Sequence, residues 1–304
     1  MIGVTRIDPR SFGELFNAWI QSLGRLWKPL LPISLVPFGI VGVIVAVSFA
    51  LSGYGEFLQL AIADPRSLDL FSSDEWVELL IKIGIASSIS YLAFWIASAF
   101  VHLAATWIVA RDIAGTPAAA RPATQAALRR LPSALGAQAL IGLALFVLIG
   151  LATGIASLAI WVTDAAAISI LAALGLTAGA SVAAVWLFLS LVLVLQVVLV
   201  EGQGAVASLR RSFELIQGNW WRTFGYLFVI GVIAGFAANI VGILLMPLYF
   251  IGFVVPAVFA IAYGLSAVVF APTLAASAAG YTLWYVDLRS RREVLSTEEL
   301  IELS

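Results

Sequence analysis

Leu30–Leu51 reads LLPISLVPFGIVGVIVAVSFAL, a run without a single charged side chain. A helix needs about 20 apolar residues, at about 1.5 Å each, to cross the hydrocarbon of a bilayer. The run is continuously apolar, whereas the strand of a membrane β-barrel must alternate. The same reading recurs over Trp76 to Ala110, Gly136 to Val162, Ala165 to Val200, Phe224 to Leu245 and Pro256 to Tyr285. Gly175 and Gly179 predict a break in the fourth run, leaving a short interfacial piece before a span over Ala180–Val200. Pro272 predicts a kink in the sixth. The expected fold class is all-α: a polytopic membrane protein of six transmembrane helices, one membrane domain over residues 1–304.

Composition agrees. Of 304 residues, 62% are hydrophobic and 11% charged, where a soluble domain has about 45–50% and about 25%. Such a chain lacks the polar surface of a soluble enzyme. A net charge of −1 implies no nucleic-acid partner. With no Cys and one His, disulfides, thiolate chemistry, Cys-ligated metals and paired-histidine sites are excluded, and no cofactor is expected. About 28 mixed residues precede the first run, unlike a signal peptide, so that run is expected to stay as an anchor.

Charge predicts orientation. The segments before the first span, between spans 2 and 3, between 4 and 5, and after 6 carry 14 of the 16 Lys and Arg residues. Basic segments stay cytoplasmic, which puts both termini of this multi-pass chain inside. The opposite side is acidic, with Glu56, Asp64, Asp69, Asp74, Glu75, Glu78 and Asp164. These carboxylates lack the spacing of a hard-ion loop and read as a solvated face. Eight tryptophans (19, 27, 76, 107, 161, 220, 221 and 284) fall near predicted span ends, as an aromatic belt requires.

The basic segments resemble one another. Trp19–Leu30 (WIQSLGRLWKPL) and Phe213–Phe224 (FELIQGNWWRTF) align Gly24 with Gly218, Trp27 with Trp221 and Lys28 with Arg222. Gln125–Gly136 (QAALRRLPSALG) is a weaker copy. The reading is three repeat units over residues 11–112, 118–202 and 205–290, with a polar tail over 291–304. Each unit is an amphipathic interfacial helix followed by a two-span hairpin. Ser11 with Glu14, and Ser72 with Glu75, have capping-box spacing. The stripe Phe12, Leu15, Phe16, Trp19, Ile20, Leu23, Leu26 and Trp27 opposes a polar face, as in helices that lie in the headgroup plane. Lys28, Arg129, Arg130, Arg210, Arg211 and Arg222, with Trp27, Trp220 and Trp221, are the interfacial residues, either anchors alone or a collar for anionic lipid headgroups.

Val198–Gly225 (VLVEGQGAVASLRRSFELIQGNWWRTFG) resembles the bacterial glycerophosphoryl diester phosphodiesterase membrane-domain family, in which a span ends in Glu-Gly and is followed by Leu-Arg-Arg-Ser and an aromatic-rich turn. Tyr285–Glu293 (YVDLRSRRE) resembles the same family's close, and the opening SFGELFNAW matches it more loosely. The resemblance implies six spans in a bacterial inner membrane. Some members fuse this region to a catalytic phosphodiesterase domain, which needs paired histidines and metal-binding carboxylates; a single His does not supply them.

Within the spans, His102 is either a functional ionisable group or a neutral imidazole bonded to a neighbouring helix. Gln196 and Asn239 are expected to bond across helices. Gly150/Gly154 and Gly231/Gly235 have the GxxxG spacing of close helix approach, within the bundle or at a dimer contact. Glu201, beside Arg210 and Arg211, and Asp287, beside Arg289–Arg292, are expected to form structural ion pairs. No catalytic or metal-binding motif appears. The expected function is a non-catalytic membrane scaffold or lipid-interacting module, with membrane lipids and a protein partner or second copy as its contacts. The alternatives are a small transporter or flippase of a lipidic solute, and an intramembrane enzyme using His102.

Overall fold

The computed structural model describes residues 6–64, 66, 71–162 and 166–301. Asp69, Asp164 and the side chain of Trp161 lie outside the described residues. The chain is 88% helical, and no strand occurs among the described residues. Among the described residues ten helices follow in order: α1 (Phe12–Leu51), α2 (Tyr54–Ala63), α3 (Ser73–Ile113), α4 (Ala120–Val162), α5 (Ala166–Ser190), α6 (Val194–Val200), α7 (Ala205–Ile216), α8 (Trp220–Gly252), α9 (Pro256–Arg292) and α10 (Thr297–Ile301). Six segments, α1, α3, α4, α5–α6, α8 and α9, are long and apolar enough to cross a membrane.

Both capping boxes form. Ser11 accepts from the Glu14 amide and Ser72 from the Glu75 amide, and each glutamate caps back. α1 then runs unbroken through Pro29, Pro32 and Pro37. The predicted lead-in is therefore no separate surface helix. Its stripe of Leu15, Trp19 and Leu26 is buried and continues as Leu30, Ile33 and Phe38 at the same helical spacing. Packing of that face against the bundle, mainly against α9 and α3, outweighs the hydrogen bonds lost at the prolines. The second lead-in is likewise the start of α4. Only the third, α7, is a separate helix, set off from α8 by a turn where Gly218 adopts φ +82°. Its counterpart Gly24 sits inside helical α1.

α1, α3 and α9 make the centre; α8 packs on α9, and the α4–α5 hairpin packs on α3 through α4. Trp19 Nε1 donates to the Ala276 carbonyl at 2.8 Å, joining α1 to α9, and Trp284 Nε1 donates to Thr223 Oγ1 at 3.2 Å, joining α9 to α8. Both rings are fully buried. Together with buried Trp107 they fill the bundle instead of ringing it, because their indole N–H groups or faces find partners inside. Trp27 and Trp221 stay exposed.

Within the bundle, the close helix approaches lie elsewhere than at the GxxxG spacings. A Cβ at Gly42 of α1 would stand 2.7 Å from the Gly264 carbonyl of α9, so these two backbones touch. Nothing lies within 4 Å of the corresponding position at Gly150, Gly154, Gly231 or Gly235.

The break in the fourth run also moves. α5 continues through Gly175 and Gly179, and the helix stops at Leu191–Leu193 instead. There Leu191 N–H reaches both Leu187 O and Phe188 O, and Val194 N–H bonds Leu191 O at 3.2 Å, a tightened turn. α6 then completes the span with all seven residues buried. α7 accounts for the position: Ser212 Oγ donates at 3.1 Å to the Ser190 carbonyl where α5 ends.

Candidate functional site

Ionic side chains gather at one end of the bundle, where the ends of α3, α6, α9 and the starts of α4 and α8 meet. Glu201, which caps α6, accepts from Arg211 Nε at 3.0 Å and Tyr285 Oη at 2.9 Å. Arg211 continues to Glu293, and Arg289 bonds Glu293 at 3.2 Å and Glu299 at 2.7 Å. The chain of charges thus ties α7 to the ends of α6 and α9. Burial alone would raise the Glu293 carboxyl, but the Arg211 and Arg289 guanidiniums outweigh it and hold it below the usual carboxylate range. Burial opposes the charge on Arg211, and hydrogen bonds from Glu293 and Glu201 more than restore it, leaving its pKa raised.

A second hub is Asp287, with a side chain 1% exposed. Its Oδ1 accepts from the Arg10 amide at 2.7 Å and its Oδ2 from Arg291 Nε at 2.8 Å. Arg222 of α8 lies 3.8 Å from it and donates to the Arg10 carbonyl at 2.8 Å. Ile7 N–H bonds Leu295 O, and Arg6 bridges Ser296, so the first and last described segments pack together here. Arg25 of α1 pairs with Asp112 of α3 at 2.7 Å.

This geometry divides the basic residues. Arg211 and Arg222 are committed to internal carboxylates, and Arg130 Nη1 donates to the Gly202 carbonyl at 3.0 Å. Arg210 points outward, 84% exposed, and among the described residues pairs only with Glu214 on its own helix. Lys28 and Arg129 are exposed. Trp220 stacks on Phe224 and meets Trp221 edge-on.

Deeper in the bundle a cavity of about 550 Å³ opens between α8 and the α4–α5 hairpin, with α3, α6 and α9 behind it. Its volume falls in the range of small-molecule sites. Helix rise fixes its depth. From Arg111 to His102, from Arg130 to Gln138 and from Arg289 to Tyr281 each helix climbs roughly 12–14 Å. Those three side chains therefore line the cavity at one level. Trp95 and Phe270 line it roughly 24–28 Å from the same end. Leu191 and Val192, the α5–α6 break, form part of the wall. Gly231 and Gly235 of α8 also line it, and their missing side chains leave the space open.

His102 Nδ1 bonds the Ser98 carbonyl of its own helix at 2.9 Å, and its ring stacks on Tyr281 at 6.0 Å. The expected bond to a neighbouring helix is replaced by this local one, because the carbonyl four residues back is already within reach. Asn239 likewise donates to Gly235 of its own helix, and Gln196 is fully buried with no hydrogen-bond partner among the described residues. Neither makes the cross-helix bond that its place within a span suggests. Gln138, Ser277 and Tyr281 were not singled out by sequence reasoning. The available signal was an amide inside an apolar run, at Gln138. No group of His, Asp and Glu among the described residues could hold a metal ion.

Residues 119–284 match the model of a domain of unknown function, DUF7847. The chain belongs to the DUF7847 family. The match takes in α4 through most of α9, hence the Glu201–Arg211 pair, the helix break and most of the cavity wall, and stops before Tyr285–Glu293. No curated protein and no solved structure matches the chain.

Proposed function

We propose that this chain is a non-catalytic, multi-pass protein of a bacterial inner membrane that takes a lipidic molecule from the bilayer into its lateral cavity and works with a protein partner or a second copy at its basic end. The observation that carries this reading is the cavity: apolar over most of its wall, placed between membrane-spanning helices, and open beside the thinly packed α8. Positive-inside bias puts the basic end, with both termini, in the cytoplasm. Exposed Lys28, Arg129 and Arg210 then face the headgroup layer, each worth about 1 kcal/mol of attraction to anionic lipid. Kinship with the membrane region of the glycerophosphoryl diester phosphodiesterase family belongs to the proposal, supported by Glu201-Gly202, Leu209–Ser212 and Tyr285–Glu293. The family's chemistry does not come with it, since His102 is the sole histidine.

The test is lipid retention. Protein purified from native membranes in mild detergent is extracted, and bound lipid is measured by mass spectrometry, for the wild type and for Gly231→Leu with Gly235→Leu. Stoichiometric lipid lost in the filled-cavity variant supports the reading. Equal retention by both, or none by either, overturns it.

A small transporter or flippase is the second reading, favoured by the α5–α6 break in the cavity wall, since broken helices commonly flank solute sites. Exchange of a fluorescent lipid between leaflets of proteoliposomes, faster than in empty vesicles, would select it.

A further inference from the structure

The polar groups of the cavity say what kind of lipid fits, if the cavity takes a lipid as proposed above. No Asp, Glu, Lys or Arg is among the described residues that line it. A phosphate or ammonium brought there would lose its hydration with no opposite charge to meet it, a penalty of several kcal/mol. The occupant is therefore uncharged.

Acceptors are left unmet here, beside the donors that Tyr91, Trp95 and Tyr281 bring to the same wall; a hydroxyl, which donates and accepts, can serve both kinds. A carbonyl oxygen can only accept, so His102 Nδ1, 2.9 Å from Ser98 O, carries the ring proton. In the neutral imidazole Nε2 is then left with a lone pair. Gln138 Oε1 is buried and has no partner among the described residues. Ser277 Oγ spends its hydrogen on the Thr273 carbonyl, and Thr273 Oγ1 on the Phe270 carbonyl. Both hydroxyls face the cavity with lone pairs only. A buried acceptor left unpaired is costly, so a ligand that brings a hydrogen-bond donor is favoured over one that does not.

Position supplies the rest. His102 and Gln138 lie at the cavity end nearer the basic face, and Trp95 and Phe270 at the far end. A molecule with a polar head and an apolar chain fits in one direction, head toward His102.

We infer that the cavity is a binding site for an uncharged, hydroxyl-bearing lipid, a long-chain alcohol or an acylglycerol, whose hydroxyl hydrogen goes to one of the two acceptors His102 Nε2 and Gln138 Oε1 while its chain runs along α3 and α8 toward Trp95. An uncharged lipid is also the kind that reaches this depth without dragging a charge into hydrocarbon.

The test uses the full chain in phosphatidylcholine nanodiscs and three diazirine probes of one chain length: a hexadecanol, its methyl ether and its phosphate monoester. The alcohol should label α3 and α8 peptides. The ether, which keeps the shape and loses the donor, should compete about tenfold more weakly, as should the phosphate. His102→Phe with Gln138→Leu should abolish the alcohol's advantage and leave labelling by the ether unchanged. Equal labelling by alcohol and ether, blocked in both cases by Gly231→Leu, would overturn the hydroxyl assignment while leaving the lipid cavity standing. Labelling of the cavity by none of the probes would overturn both. If the double variant does not fold, the comparison of alcohol with ether on the wild type still decides the assignment.

Discussion

Ser212 of α7 donates its hydroxyl hydrogen to the carbonyl of Ser190, 3.1 Å away, and Ser190 is the last residue of α5. Both residues are buried. A surface-side helix thereby satisfies the carbonyl that a membrane-spanning helix gives up where it breaks. Ser212→Ala leaves that oxygen bare and should cost about 1–3 kcal/mol, read as a lower unfolding temperature in detergent. Ser212→Thr keeps the hydroxyl and should restore most of the loss. An alanine variant as stable as the wild type would show that the carbonyl has another partner.

Adjacent arginines on α7 should behave oppositely. Arg211 is 20% exposed and bonded to Glu201 and Glu293. Arg211→Glu places three carboxylates together and should lower stability by about 3–5 kcal/mol, as when a buried pair is broken. Arg210 is 84% exposed and pairs with Glu214 on its own helix, so Arg210→Glu should leave thermal unfolding nearly unchanged and weaken co-sedimentation with anionic vesicles. Equal destabilisation by both would contradict the division of labour on this helix.

Acid should loosen the same network. The Glu293 carboxyl is held below its ordinary value by Arg211 and Arg289. A depressed folded-state pKa means that the unfolded chain binds the proton more tightly. The stabilisation is therefore complete above the unfolded value, about 4.3 for glutamate, and is lost as pH falls below it toward the folded value. Glu293→Gln should lose stability at neutral pH and show a flatter decline than the wild type below about pH 4.3. Parallel decline in the two proteins would assign acid sensitivity to other carboxylates.

The six apolar runs were legible because hydropathy and helix length are local properties; each corresponds to a helical segment long and apolar enough to cross a membrane. The α5 break was not. Gly175 and Gly179 carry the usual signal, but a glycine inside a spanning helix is tolerated where its backbone bonds are kept. The break falls in Leu191-Val192-Leu193, which contains no breaker residue. Its cause, Ser212, is a tertiary partner. The stripe of α1 was legible as amphipathic, yet periodicity does not say whether bilayer or protein covers it. At Leu15 and Trp19 it is protein. The cavity was the least legible feature, since His102, Gln138 and Tyr281 meet only when α3, α4 and α9 are assembled.

Within the bundle the GxxxG spacings do not mark the close contact, and a pair of substitutions separates the two kinds of glycine. Gly42 faces the α9 backbone at Gly264, where an added Cβ would stand 2.7 Å from a carbonyl oxygen and 2.8 Å from the Val268 side chain. Helix backbones cannot yield as a flexible side chain can, so Gly42→Ala must push α1 from α9 along their shared face. Overpacking of this kind costs about 1–3 kcal/mol. Gly150 has open space around the same position. There the added methyl removes backbone freedom from the unfolded chain and meets nothing, so Gly150→Ala should be neutral or more stable by about 0.5–1 kcal/mol. Unfolding of the two variants in one detergent gives the comparison directly. If Gly42→Ala unfolds with the wild type while Gly150→Ala is destabilised, the α1–α9 contact is not the closest approach in the bundle, and Gly150 instead seals a contact with a second copy of the chain.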